Sequence, residues 1–548
     1  MNYRVLPVLI LLLLCNPYLH SQVVYEPLFR DVYDYLSRLG QKGVIEYNDL
    51  IKPLPRSYLA EKLRELSEKE NQLTPLERKE LTFYRKDFYA ELEALAERKP
   101  VKQEVKIAGK DPGARPRLFS YRDSFFSLNL SPILGYRSGA NDGEKNTHRW
   151  NGAYLYGYLG KHIGYSFDFR DNREEGENVD FTKAFTPVTG VVQDRFADST
   201  AFEYSEARAT LSGNWSWGSL SVGKDFIEWG YERNGKPVLS NKAPSFPLIR
   251  LDIQPARWFK FNYFHAWLRS DVVDSTEMYK TQTGTERILF REKYLASHTI
   301  TVTPTRGLDI SLGESIVYSD RLEIAYLIPV MFFRLADHYL ADRNNDAGNN
   351  AQLFFAASSR NHLKNTHLYG TLFIDDLSIP NMFDEEKQVN HLGGSIGVSV
   401  ADLPLHNLTA TMEYTRINPF VYKHYIQTID YASASYPMGH WIGHNGDLLY
   451  GALNYRFLRG LQATLWGQYI RKGEEGVVED QYTLPHKPFL FGLNTHYTYL
   501  GMDVKYEIIH ELFLRGQFQH IKTAQEQADG SFRDANRAEF FVSLYYGL

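Results

Sequence analysis

Apolar residues follow two different periods along this chain. From about residue 25 to residue 97 they recur at helical spacing. In YEPLFRDVYDYLSRLG, Phe29, Val32, Leu36 and Leu39 share one face, and Gly40 marks a stop. In KPLPRSYLAEKLRELSEKE, Leu59, Leu63 and Leu66 do the same after a proline-rich start. TPLERKELTFYRKDFYAELEAL opens with Thr74 as N-cap, Pro75 in the first turn and Glu77 positioned to close a capping box. Leu81, Tyr84, Phe88, Leu92 and Leu95 form its apolar stripe. The pattern predicts a small amphipathic helical domain over 22–98, most simply a packing module. Residues 99–117 are polar, rich in proline and aperiodic, and read as a linker.

From about Leu118 the period changes to two. Ile163, Tyr165, Phe167 and Phe169 alternate with Gly164, Ser166, Asp168 and Arg170. Leu408, Ala410, Met412 and Tyr414 alternate with Thr409, Thr411, Glu413 and Thr415. Many such runs reach about ten residues, the length a tilted strand needs to cross a bilayer. Short connections at Gly160, Gly213, Gln254, Pro304, Asp402, Leu458 and Ile509 separate strand pairs. Long polar stretches lie between the pairs, at about 131–149, 172–202, 227–247, 269–293, 319–350, 375–390, 417–445, 472–492 and 524–536. Short turns on one side and long loops on the other are the asymmetry of an outer-membrane barrel. The count is about 18 antiparallel strands from Leu118 to Leu548. An even count returns both chain ends to the periplasmic side. The predicted fold is therefore an all-β transmembrane barrel over 118–548, preceded by a periplasmic helical domain.

Closure has a physical reason: in hydrocarbon no water can pair a free N–H or C=O, so the last strand must meet the first. The terminal EFFVSLYYGL fits that role, with Phe540, Val542, Leu544, Tyr546 and Leu548 on the lipid side. The 319–350 stretch contains the apolar run LIPVMFF and is expected to fold inward and plug the lumen.

Composition narrows the class. Tyr (38) and Phe (33) are abundant for a polar chain, which suits interfacial aromatic girdles. The net charge of -5 gives no electrostatic case for nucleic-acid binding. A mean hydropathy of -0.40 excludes a bundle of membrane-spanning helices. Residues 1–21 read as a secretory signal with a cleavage position near Ser21. Cys15, the single cysteine, lies in that segment, so the exported chain has no thiolate chemistry. Lipidation of Cys15 is the alternative, but Leu14 stands where a lipoprotein signal wants a small residue.

The stretch LSVGKDFIEWGYERNGKPVLSNKAPSFPLIRL resembles the Wzi-like capsule assembly family in its GKD, WG and LSN elements. LIPVMFFRLADHYLADRNNDAGNNAQLFF resembles a second segment of that family, and so does the order of signal, helical domain and 18-strand barrel. Tyr231 stands where the family pattern has a proline after WG. The resemblance implies a lectin-like protein of the cell outer membrane. It would bind exported capsular polysaccharide or exopolysaccharide and help attach it to the cell surface, with no enzyme activity and no cofactor. The partners implied are the glycan, outer-membrane lipid and a candidate periplasmic protein for the helical domain. The alternative is a diffusion porin for sugars or other small solutes.

Candidate chemistry falls in two loops. The loop after strand five carries Trp229, Tyr231, Glu232, Arg233, Asn234, Asn241 and Lys242. Flat aromatics suit sugar C–H faces, and polar forks suit hydroxyls or carboxylates. A polar loop over the barrel mouth explains the same residues without a ligand. The second loop carries Arg334, Asp337, His338, Asp342, Arg343 and Asn344, placed at the mouth or in the lumen. Asp342, Asn344 and Asp346 have the spacing of a calcium loop, but Ala347 and Leu353 stand where Gly and Glu are required, so turn chemistry is the simpler account. His440 and His444 are four apart in GHWIGHNGD, where two glycines argue against a metal-binding helix. No metal site and no catalytic group are expected.

Overall fold

The structure, a computed structural model, describes residues 23–96, 103–192, 195–198, 200–344, 348–377 and 390–547. The signal segment with Cys15 and the final Leu548 lie outside the described residues. Eighteen long strands form one closed antiparallel barrel. In chain order they are Phe126–Asn141 (β1), Glu144–Leu159 (β2), Ile163–Glu175 (β3), Ala201–Trp215 (β4), Gly218–Asp225 (β5) and Phe246–Ala256 (β6). Phe259–Leu268 (β7), Lys293–Thr305 (β8), Leu308–Ser319 (β9), Asn350–Arg360 (β10), Thr366–Leu377 (β11) and Asn390–Ala401 (β12) follow. Leu408–Ile417 (β13), Gly446–Leu458 (β14), Leu461–Lys472 (β15), Thr495–Ile509 (β16), Leu512–Glu526 (β17) and Phe532–Tyr546 (β18) complete it.

Closure is made by β18 against β1, from Glu539↔Asn141 to Tyr546↔Leu134. Phe540, Val542 and Leu544 point outward and are exposed, while Phe541 and Ser543 are buried on the inner side. The tail is thus a paired strand with an apolar outer face.

Three expectations are corrected. The first of the eighteen long strands starts at Phe126; Leu118 lies on a shorter strand of the same sheet. That strand is half of a hairpin, Glu104–Lys110 with Pro116–Arg122, most of which falls in the 99–117 stretch read as a linker. That hairpin pairs Phe119–Arg122 with the base of β1, below the point where β18 ends. It covers an edge that the last strand is too short to reach. The stretches 131–149 and 524–536 are not long loops. Asn141 and Glu144 close a two-residue turn through Asp142 (φ 53°) and Gly143 (φ 85°), the Asp-Gly signature of a tight hairpin. The third correction concerns 319–350 and is taken up with the site.

Four helices precede the barrel: Val32–Gln41 (α1), Arg56–Glu68 (α2), Pro75–Asp87 (α3) and Tyr89–Leu95 (α4). Leu36, Leu39, Leu59, Leu63, Leu66, Leu81 and Phe88 meet in their common core. The capping box at α3 is complete: the Glu77 N–H donates to Thr74 Oγ1 at 3.3 Å, and the Thr74 N–H donates to Glu77 Oε2 at 2.9 Å. The helical domain sits against the short-turn end of the barrel, held by ion pairs. Arg360 meets Asp49 at 2.5 Å, Arg456 meets Glu80 at 3.2 Å and Arg30 meets Glu511 at 2.6 Å. Arg38 with Asp402 and Lys505 with Asp31 add two more. Buried pairs of this kind add little net stability but fix orientation, because breaking one leaves a desolvated charge.

Candidate functional site

Side chains alternate across each strand, so register separates lumen from lipid face. Leu248, Phe264, Leu295, Val317, Phe354, Phe373, Ile417, Leu448 and Ile470 point inward and form one apolar cluster. The loop joining β5 to β6 enters that cluster from the opposite mouth. Ile227, Trp229, Tyr231, Val238 and Leu239 are all buried in it. At its deepest point Glu228–Trp229 pairs antiparallel with Ile51–Lys52 of the helical domain. The Gly230 N–H then donates to Leu50 O at 2.9 Å. Gly230 has φ 140°, and a Cβ there would lie 2.3 Å from Glu232 Oε2, so glycine is required at the turn. A loop from one end and a domain from the other are therefore hydrogen-bonded into one plug.

The residues singled out in this loop are plug residues. Trp229 is 2% exposed; its indole N–H donates to Thr299 Oγ1 at 3.0 Å and its ring meets Phe354 edge-on at 4.7 Å. Tyr231 is 6% exposed and edge-on to His367. Neither ring offers a face to a sugar, which corrects the expected aromatic platform. The Arg233 and Asn234 N–H groups donate to the Glu413 carboxylate at 2.7 and 3.1 Å, and the Arg233 guanidinium reaches Asp34 of α1 at 3.0 Å. Asn241 is half-buried beside Lys242, whose ammonium donates to Val188 O at 2.9 Å. A second loop, 418–445, seals the mouth above with Val421, Tyr422, Tyr431, Met438, Trp441 and Ile442. His440 and His444 belong to this lid: the His440 ring accepts from the Ile442 N–H, and His444 pairs with Glu475 at 2.8 Å.

The 319–350 stretch goes the other way. Phe261, Tyr263, Tyr294, Ala296, Ile316 and Tyr318 point to the lipid side of β7, β8 and β9, and they pack with Tyr326 and Phe333 of this stretch. Its helix, Phe333–Asn344 (α5), lies on the outer wall of the barrel, not in the lumen. Arg334 and His338 are exposed there, and Asp337 accepts from the Tyr326 hydroxyl at 3.0 Å and from the Asn349 N–H at 3.0 Å. The backbone of Asp342, Arg343 and Asn344 continues the helix; their side chains lie outside the described residues. The two candidate loops therefore never meet, since the barrel wall stands between them.

The space of glycan size lies elsewhere. Between the helical domain and the turns that follow β4, β6, β8 and β10 opens a cleft of about 1520 Å³. Trp215 and Trp217 meet at 5.2 Å in its wall, and Trp217 is 44% exposed. Tyr47 and Tyr58 stack at 6.2 Å on the opposite side. Lys62 and Lys260 hold their ammonium groups 5.4 and 5.3 Å from the Tyr58 ring. Behind this wall, buried polar atoms have no partner among the described residues: Tyr47 Oη, Asn48 Nδ2, both amide atoms of Asn214, and Trp215 Nε1. Such atoms are costly unless something hydrogen-bonds to them. The cleft thus combines the open indole face of Trp217 with cations and with exposed polar groups such as Glu46 and Arg306. The sequence held one sign of it, the tryptophan pair in NWSWG at a short turn.

With this geometry in hand, comparison with known proteins is decisive on one point. The family profile described as capsule assembly protein Wzi matches residues 120–537. The chain belongs to the Wzi capsule assembly family. Wzi of Escherichia coli, an outer-membrane protein involved in group 1 capsule assembly and a carbohydrate-binding β-barrel, superposes with a TM-score of 0.57 at 12% identity, covering 96% of this chain and 100% of that one. That likeness shows the fold. OccAB2 of Acinetobacter baumannii (TM-score 0.42, 11% identity, 77% and 98% coverage) and OprD of Pseudomonas aeruginosa (0.42, 12%, 77% and 95%) are also similar. No curated protein matches the chain in sequence. Like its family, the chain is an outer-membrane barrel.

Proposed function

We propose that the protein binds an exported capsular polysaccharide at the outer membrane, helps attach or assemble it at the cell surface, and seats a segment of it in the periplasmic-side cleft. The observation that carries this reading is the pairing of Ile51–Lys52 with Glu228–Trp229 across the lumen. It joins the inward loop and the helical domain inside the lumen, which counts against the porin alternative. The cleft beside it supplies what a glycan needs: the exposed Trp217 face for C–H contacts and exposed polar groups such as Glu46 and Arg306 for hydroxyls.

The test has two arms. Purified protein in planar bilayers is expected to give no large, stable single-channel conductance; such a conductance would return the porin reading. Binding of polysaccharide fragments from the host strain, measured by calorimetry, is expected to weaken about tenfold in Trp217→Ala, or about 1.4 kcal/mol. Unchanged affinity would move the glycan off the cleft. In cells, deletion of the protein is expected to raise shed over cell-bound polysaccharide, and an unchanged ratio would refute the attachment role.

A further inference from the structure

We propose that α5 and the turn before it form a membrane-seated segment whose outer face lies against acyl chains of the outer leaflet. Strand parity is broken at three outward positions. His265 on β7, His298 on β8 and Glu314 on β9 all occupy outward positions, because each pairs in register with, or sits two residues from, residues of the outer apolar cluster. Three neighbouring strands thus turn polar groups toward hydrocarbon, where such groups are costly.

The described stretch 319–344 covers all three. The Glu314 carboxylate accepts the Arg334 N–H at 2.5 Å, so it supplies the free N-terminus of α5 with the partner that hydrocarbon cannot. Phe333 packs on the His298 ring at 4.6 Å. His265 shares a hydrogen bond of 2.6 Å with the Tyr318 hydroxyl, and Tyr326 lies over Tyr318 at 4.8 Å. Depth follows from register. Trp267, Tyr294 and Tyr318 face outward side by side, as an interfacial girdle does. Glu314 is four residues below Tyr318 along β9, or ~10 Å deeper at the usual rise and strand tilt.

What α5 leaves uncovered is apolar on the side that continues the barrel's own lipid face. Val330 is 80% exposed, Leu335 64% and Tyr339 66%, and Phe332 joins them at 51%. At 100° per residue, Phe332, Leu335 and Tyr339 fall on one edge, while Arg334 and His338 fall on the next. Exposed Leu312 and Phe355 on the adjoining strands extend the same apolar surface. Acyl chains fit the first edge and the headgroup layer fits the second.

The test uses spin labels on Val330→Cys and Leu335→Cys in a Cys15→Ala background, with the protein reconstituted in phospholipid vesicles. Power saturation is expected to show high access to oxygen and low access to a water-soluble nickel chelate at both positions. Glu314→Ala is expected to raise chelate access at position 335 several-fold while the barrel stays heat-modifiable on gels, and Glu314→Gln, which still accepts a hydrogen bond, is expected to retain the wild-type reading. High chelate access in the labelled protein with Glu314 intact would overturn the proposal. So would low access to both reagents together with disulfide-linked dimers of the unlabelled Leu335→Cys variant, which would put a second copy of the chain on this face.

Discussion

The segments 226–245 and 320–344 leave the same mouth of the same barrel, yet one enters the lumen and the other folds onto the outer wall. Both bury tryptophan or tyrosine and phenylalanine. Both are tied by a carboxylate of the wall to backbone N–H groups: Glu413 holds the first at Arg233 and Asn234, and Glu314 holds the second at Arg334. The difference lies in strand parity. Glu413 faces inward, beside buried Tyr369, whereas Glu314 faces outward, beside His298. A loop goes where the wall offers it a partner. The inward loop gains a second anchor, the helical domain, and becomes half of a plug. The outward loop gains cover over polar groups that lipid would otherwise meet.

Four experiments bear on that comparison. The largest effect should come from the wall on which both loops depend. Removing residues 539–548 deletes the pairing of β18 with β1, and the expected outcome is loss of membrane assembly; a truncated protein still folded and heat-modifiable in the outer membrane would break the account. Next is Trp229→Ala. Losing a fully buried tryptophan costs about 3–5 kcal/mol. The midpoint of the heat-modified gel shift should fall by several degrees, and the helical domain should become protease-sensitive once its strand partner is disturbed.

The third is a pH effect confined to the inward loop. Burial pushes the Glu232 carboxyl up from 4.5 to about 7. A raised carboxyl favours the folded state when protonated, so its contribution is complete below about pH 4.5 and is lost as pH rises through about 7. At 1.36 kcal/mol per pKa unit the loss is on the order of 3 kcal/mol. Glu232→Gln should therefore flatten the unfolding midpoint between pH 4.5 and 8, with the gain over wild type appearing at the alkaline end. An equal slope in both proteins would show that Glu232 is hydrated in the plug. The smallest effect is Leu335→Arg on the outward loop, expected to cost about 1–2 kcal/mol for a charge on a lipid face. It shares no partner with Trp229, so the double variant should be additive within about 0.5 kcal/mol. Stronger coupling would mean that the two loops communicate through the wall.

Much of this was readable beforehand because it is local. Strand number, turn asymmetry, the closing role of EFFVSLYYGL and the Thr74–Glu77 capping box each depend on a few consecutive residues. The destinations of Trp229, Tyr231 and the LIPVMFF run did not follow, because a loop's composition is the same whether its partner lies inside or outside the barrel. One signal was present: His265, His298 and Glu314 interrupt the apolar parity of three strands in a row. Read together, they call for a cover on the outer wall. The tryptophans of the cleft were visible as a pair, but the tyrosines opposite them lie more than 150 residues away in sequence.

Period-two alternation and turn spacing are enough to require an 18-strand barrel, because they leave backbone groups no other partners in a membrane. The filled lumen, the outer position of α5 and the cleft beside the helical domain come instead from packing between distant segments. Those depend on which faces of distant strands present an acceptor or an apolar surface, and that is set by register between segments hundreds of residues apart.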